Sequence, residues 1–179
     1  MARDRPAKPA PKTKAKTKRP PVDAPTYVVP IVAALGCLAA LVIGGALTRP
    51  NLDWYATLAK PGFTQPNGAF PVAWTILYGL SAIAAWFVWQ TPGKEEDHRL
   101  AMIWFFIQLA VGVLWSVAFF WLHSPALGLA VIMAFLIVIV ITIVVFDRVS
   151  RTASLLLIPL ALWVCFATGL NFAILFLNS

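Results

Sequence analysis

Hydrophobic residues fall into five long, continuous runs along the chain rather than into an alternating pattern. A helix needs about 20 apolar residues to cross the hydrocarbon core of a bilayer, and each run meets that length. Barrel strands are excluded because they alternate apolar and polar positions. We therefore predict five transmembrane helices, over Tyr27–Leu47, Phe70–Gln90, Leu100–Leu122, Ala126–Phe146 and Ser154–Leu177.

Short polar or helix-breaking segments separate these runs. His123-Ser124-Pro125 is so short that the third and fourth helices must form an antiparallel hairpin. The substantial loop, Asn51–Ala69, lies between the first and second spans and is rich in aromatic residues, so a ligand site is most easily built beside it. The pattern predicts an all-α integral membrane fold, a five-transmembrane-helix bundle formed by residues 27–179.

Composition agrees with a membrane protein, since 60% of the 179 residues are hydrophobic and 12% are charged. A soluble domain carries about 45–50% apolar and about 25% charged residues. Residues 1–26 are rich in Pro, Lys and Ala and hold 8 of the 14 Lys and Arg residues. We expect a disordered basic tail there, in contact with lipid head groups. Nucleic acid is not an expected partner, because no aromatic residues interleave these charges.

Basic residues are distributed unequally between the two sides of the predicted bundle. The tail and the loops on its side carry 12 Lys and Arg residues, whereas the opposite side carries only Arg49 and Lys60. If the protein resides in a bacterial inner membrane, the positive-inside rule places the N-terminus in the cytoplasm.

The predicted spans lack the groups on which acid–base, metal or ion-coupled chemistry depends. Acidic and basic residues are absent from residues 61–93, 100–146 and 152–179. Ion-coupled transporters usually need an ionisable residue inside the membrane. Cys37 and Cys165 lie in apolar runs without metal-ligand spacing, so we expect no metal site and no required cofactor.

Some aromatic, amide and small residues share helix faces at spacings of three to four residues. These faces comprise Phe70, Trp74 and Tyr78 in the second span, Gln108, Gly112, Trp115 or Ser116 and Phe119 in the third, and Pro159, Trp163, Ala167 and Asn171 in the last. Plain packing would account for them. They also predict a pocket between spans two, three and five, with Gln108 and Asn171 contacting the polar edges of a ligand or each other.

A second kind of face consists of small residues. Gly36, Ala40 and Gly44 form a stripe along the first span that permits close approach of another helix. The stripe serves either dimerisation or packing within the bundle, and the sequence leaves both open.

Four segments together resemble the TspO/MBR family, also called the translocator protein or peripheral benzodiazepine receptor family. They are WYATLAKP at 54–61, FPVAWTILYGL at 70–80, QLAVGVLWSVAFF at 108–120 and LLIPLALWVCFATGLNFAILFLN at 156–178. The resemblance implies a five-helix bundle, usually a homodimer, that binds porphyrins beneath a lid formed by the first loop. It implies pocket residues Tyr55, Trp74, Tyr78, Trp115, Trp163 and Ala167.

The chain departs from the family pattern at several positions. Gln65-Pro66 replaces a pair of prolines and Gly68 replaces an aromatic residue, which predicts a less stiff and less aromatic lid. Gly112 replaces a frequent asparagine. Leu160 replaces a frequent tyrosine, so the usual sterol-recognition pattern cannot be assembled in the last span.

We therefore expect a membrane receptor or binding protein for porphyrins and similar apolar ligands, with a sensing, sequestering or transport role. The alternative is an enzyme that degrades porphyrin in light and oxygen through Trp74 and Trp163, tryptophans that the resemblance implicates. The expected ligand-binding residues are Tyr55, Trp74, Tyr78, Gln108, Trp115, Phe119, Trp163, Ala167 and Asn171.

Overall fold

The computed structural model describes residues 27–179, and the tail predicted over residues 1–26 lies outside this range. Within the described part the chain is helical and contains no strand, and five helical segments are long and apolar enough to cross a membrane. The predicted fold class is therefore confirmed. The α-helices are α1 (Val28–Thr48), α2 (Leu52–Thr57), α3 (Ala69–Gln90), α4 (Glu95–Ser116), α5 (Pro125–Val149), α6 (Arg151–Leu156) and α7 (Ile158–Leu177).

The five spans close into a ring. Helix α1 packs against α3 and α4, α4 packs against α5, and α5 packs against α6 and α7. The ring closes where α3 meets α6. Helices α4 and α5 form the antiparallel hairpin that the short His123–Pro125 connection predicts.

Several span ends differ from the predicted boundaries, and two of the differences are the largest. The first span continues through a 3₁₀ turn, Arg49–Asn51, directly into α2, so the lid begins as an extension of the membrane helix. Helix α4 begins at Glu95 rather than at Leu100. Acidic residues fill its first turn, where they interact favourably with the positive end of the helix dipole, so the helix projects beyond its apolar segment.

The last span is interrupted near Pro159. Helix α6 ends at Leu156 and α7 begins at Ile158, with the proline in the first turn of the new helix. Proline lacks the N–H that a continuous helix requires and clashes with the preceding turn, which explains the break.

The third span also ends irregularly. A π-helical turn, Val117–Trp121, follows α4, and His123 then adopts a left-handed backbone conformation with φ of 49°. The Ser124 hydroxyl accepts a hydrogen bond from the Leu127 amide at 3.2 Å and caps α5. Pro125 occupies the first turn of α5, where the missing N–H costs nothing.

The first residue of the small-residue stripe, Gly36, packs inside the bundle. A Cβ at Gly36 would lie 3.1 Å from the Phe106 ring and 3.2 Å from the Leu109 side chain of α4. Gly36 thus permits close contact between α1 and α4. The other end of the stripe, at Ala40 and Gly44, borders a cavity.

A close helix contact also depends on Gly128 in α5. A Cβ there would lie 2.9 Å from the Phe119 ring and 3.0 Å from Asn171 Oδ1. Gly169 in α7 offers a matched comparison, because a Cβ at that position would meet no heavy atom within 4 Å.

We predict that Gly128→Ala lowers the free energy of unfolding by about 1–3 kcal/mol, because the methyl group overpacks the contact. Gly169→Ala should be neutral or stabilising by up to about 1 kcal/mol, since alanine favours a helix. Equilibrium unfolding in mixed detergent micelles measures both. Equal stabilities of the two variants would contradict the packing argument.

Candidate functional site

A cavity of about 530 Å³ lies at the lid end of the bundle, lined by residues of α1, α2, α3 and α4. Aromatic side chains form one wall and small residues form the other. The aromatic lining residues are Tyr55, Phe70, Trp74, Tyr78, Trp115 and Phe120, and the small ones on α1 are Ala40, Gly44, Gly45 and Ala46. The volume exists because glycine and alanine face large rings, and it falls in the range of small-molecule sites.

The aromatic wall is built around Trp74. Its ring centroid lies 5.4 Å from that of Tyr78 and 6.2 Å from that of Trp115, with interplanar angles of 32° and 36°. Phe135 stacks behind Trp74 at 6.5 Å. Trp74 is half-buried, whereas Tyr78 and Trp115 are buried, so neighbouring side chains hold the wall in place.

Gly112 matters to the shape of this wall. A Cβ at this position would lie 3.0 Å from both the Tyr78 hydroxyl and the Phe135 ring. A larger residue here would push these rings apart. Glycine at position 112 therefore allows tight packing of these aromatic rings.

Tyr55 from α2 forms the roof of the cavity. Its ring is only 3% exposed and contacts Phe70 and Phe120 at centroid distances of 6.4 and 5.9 Å. The buried hydroxyl has no hydrogen-bond partner among the described residues. It is therefore an unsatisfied polar group packed inside the roof.

Lys60 stabilises the end of the lid helix. Its ammonium group donates to the carbonyl oxygens of Tyr55, Ala56 and Leu58 at 2.7, 3.2 and 2.8 Å. It also lies 4.8 Å from the centroid of the Tyr55 ring. The cation thereby satisfies carbonyl groups that helix termination leaves without intrahelical partners.

Two further contacts hold the lid to the bundle. The Asn178 amide group accepts from the Ala59 N–H and donates to the Ala59 carbonyl, both at 2.9 Å. At the other end, His123 Nε2 lies 2.8 Å from Asn51 Oδ1, and the His123 ring stacks on Trp54 at 4.4 Å. Neither anchor could be predicted from the sequence, because contacts between residues 72 or 119 positions apart leave no local pattern.

A second, much smaller cavity of about 20 Å³ lies on the other side of Tyr55 and Trp115. Phe119, Ala167 and Asn171 line it, which leaves room for about one water molecule. Asn171 accepts a hydrogen bond from Trp115 Nε1 at 3.3 Å and donates to the Pro125 carbonyl at 2.8 Å. Asn171 thus orients the indole of Trp115 from behind.

The large cavity therefore differs from the pocket predicted between spans two, three and five. Its third wall is α1, while α7 reaches only the small cavity. The physical reason is that Tyr55 and Trp115 lie between α7 and the large cavity. Of the expected site residues, Tyr55, Trp74, Tyr78 and Trp115 line the large cavity, and Tyr55, Trp115, Phe119, Ala167 and Asn171 line the small one.

Gln108 and Trp163 line neither cavity. Gln108 is fully buried, and neither atom of its amide has a hydrogen-bond partner among the described residues, so it does not pair with Asn171 as one alternative expected.

Trp163 is half-buried with its ring 6.1 Å from that of Phe70. Phe70 lines the large cavity and lies between that cavity and Trp163.

These features define a class: a five-helix membrane bundle with an aromatic cavity beneath a lid. A family model described as the TspO/MBR family matches residues 31–177. The chain belongs to the TspO/MBR family and is an integral membrane protein.

Named relatives come from distant organisms. The "Tryptophan-rich protein TspO" of Chlorobaculum tepidum is 42% identical over 143 residues, covering 79% of this chain and 90% of the relative. The "Tryptophan-rich sensory protein" of Cereibacter sphaeroides is 37% identical over 134 residues, covering 75% and 82%. The human "Translocator protein" is 26% identical over 146 residues, covering 80% and 84%.

We predict that Asn178→Ala loosens the lid without unfolding the bundle. Two hydrogen bonds worth about 1 kcal/mol each are lost, so amide exchange in residues 58–68 should accelerate by roughly tenfold or more. Hydrogen–deuterium exchange read by mass spectrometry measures this. Ser179→Ala is the control, since the Ser179 hydroxyl bonds only to the nearby Phe176 carbonyl. Unchanged exchange in Asn178→Ala would refute the anchor.

Proposed function

We propose that this protein is a membrane receptor for porphyrins and similar flat, apolar ligands, which it binds in the large cavity beneath the lid. One observation supports this proposal above all. Trp74, Tyr78 and Trp115 form one wall of a cavity of about 530 Å³, and small residues form the opposite wall. Broad aromatic surfaces favour a planar ligand, because stacked rings add to the burial of apolar area.

Polar groups along the cavity suit a ligand with few hydrogen-bonding sites. Asn67, Thr75 and Ser116 belong to the lining and carry amide or hydroxyl groups. A mostly apolar site with a small number of placed polar groups is typical of cofactor-sized ligands. The porphyrin class combines a broad ring with polar edges and therefore fits this lining.

The role of ligand binding in this proposal is to sense, sequester or move the ligand. The names of two relatives, a "sensory protein" and a "translocator protein", agree with these roles. The five spans lack the buried ionisable residues that ion coupling usually requires. Movement of the ligand through this protein would therefore be passive rather than driven by an ion gradient.

We also infer the orientation from the distribution of Lys and Arg, 12 against 2. In a bacterial inner membrane this asymmetry puts the N-terminal side in the cytoplasm and the lid outside. The cavity would then receive ligand from the outer half of the bilayer or from the space beyond it.

We predict that Trp74→Leu weakens binding of protoporphyrin IX about tenfold, because the stacking surface of the central ring is lost. Titration with detection by absorbance avoids the change in tryptophan fluorescence that the substitution itself causes. Trp121→Leu is the matched control, since Trp121 is 62% exposed and lines neither cavity. Equal affinity of the two variants would rule out the cavity as the porphyrin site.

A second candidate function is light- and oxygen-dependent breakdown of porphyrin involving tryptophan radicals. The adjacency of Trp74 and Trp115, at 6.2 Å on the cavity wall, favours it because two oxidisable rings would lie close to a bound ligand. Trp163 lies behind Phe70 and is less directly placed.

For this candidate we predict that illumination in air yields a new absorbing product with the unmodified protein. Trp74→Phe should abolish the product while binding in the dark stays within a few fold, because phenylalanine retains an aromatic ring but is harder to oxidise. Trp163→Phe should have the smaller effect. If porphyrin is bound but its spectrum is identical in light and dark, the enzyme function is contradicted and the receptor function remains.

A further inference from the structure

Arg49 is the one residue with a formal charge among those that line the large cavity. It stands at the end of α1, where the helix passes into the lid. The neighbouring lining residues Thr48 and Asn67 are also polar, whereas the deeper lining around Ala40 is apolar or aromatic. The cavity is therefore amphipathic along its length.

The length of this gradient follows from helix geometry. The lining residues of α1 and the turn after it run from Ala40 to Arg49. Nine steps at a rise of about 1.5 Å per residue make this distance about 13.5 Å. A ligand that fills the aromatic part thus has its outer edge near the arginine.

The guanidinium group of Arg49 has no acidic partner in the described part of the chain. Between residues 27 and 179 the one ion pair is Arg151–Asp147, at the opposite end of the bundle. Asp53 lies one helical turn beyond Arg49 but forms no ion pair with it. The other cation at the lid end, Lys60, is already bonded to three backbone carbonyls.

We propose that Arg49 binds a carboxylate of the ligand, and that the site selects flat, apolar molecules bearing an acid group at one edge. This inference rests on the proposed function. Arginine suits the task because its planar fork donates two parallel hydrogen bonds to a carboxylate and stays charged at all relevant pH values. The apolar body of the ligand stacks on the Trp74 wall while its acid edge remains at the mouth, so no charge is buried.

The position of the charge also determines how the ligand is oriented. Among the lining residues the cation lies at the lid end, so an acid-bearing ring enters with its carboxylates toward Arg49 and its apolar edge toward Tyr78. A neutral ring of the same size would lack this constraint and would lose the ionic part of the affinity.

Protoporphyrin IX and its dimethyl ester test this directly, because they share one ring and differ in the charge of two propionate groups. Dissociation constants for both are measured in neutral detergent with the unmodified protein, Arg49→Gln and Arg49→Lys. Arg148→Gln is the control for loss of one positive charge, since Arg148 is exposed and lies at the opposite end of the bundle.

We expect Arg49→Gln to weaken binding of the diacid about tenfold, because a charge-assisted hydrogen-bonded pair is lost. Binding of the ester should be unchanged. Arg49→Lys should be intermediate, since it keeps the charge but loses the fork. Added salt should weaken binding of the diacid to the unmodified protein but not binding of the ester. Retained ester binding shows that each variant is folded.

A ratio of diacid to ester affinity that is the same in the unmodified protein and in Arg49→Gln would overturn the role of Arg49 and leave the receptor proposal standing. Failure of both compounds to bind the unmodified protein would instead overturn the receptor proposal and this inference with it.

Discussion

Hydrogen bonding of the peptide backbone is the constraint on which this molecule depends. Inside a bilayer an unpaired N–H or carbonyl group costs several kcal/mol, so the chain crosses as helices that satisfy these groups internally. The lid segment between α2 and α3 lies outside the spans and is not helical, so most of its backbone groups lack partners within a helix. Lys60 and Asn178 supply partners instead, one from within the lid and one from the last residues of the bundle. The position of the roof over the cavity follows from these side-chain contacts.

Given that roof, the cavity arises from unequal side-chain volumes. Glycine and alanine on α1 leave space, and Trp74 and Trp115 opposite cannot fill it because Tyr78, Phe135 and Asn171 hold their rings in place. At the start of α1 the same kind of stripe closes the gap, since Gly36 lets the α4 side chains approach. Small residues thus serve tight packing at one end of a helix and an open site at the other.

Much of the architecture could be predicted from the sequence. Continuous apolar length identifies a span, a three-residue connection requires a hairpin, and the spacing of Trp74 and Tyr78 predicts that they share a face. The ends of the helices were less predictable. Glu95 belongs to a helix that extends past its apolar core, and the 3₁₀ turn after Thr48 joins lid to span, because helix formation outside the membrane depends on capping and charge rather than on apolar length.

The pattern of residues along this chain thus establishes its class, its five crossings and the aromatic character of its site, since each of these depends on local spacing and composition. Which helices enclose the cavity depends on the order of spans around the ring and on which rings stand between them. Helix α1 replaces α7 as a wall because Tyr55 and Trp115 come between, and Trp163 lies behind Phe70 for a similar reason. Such contacts join residues far apart in the chain, and no periodicity within one helix records them.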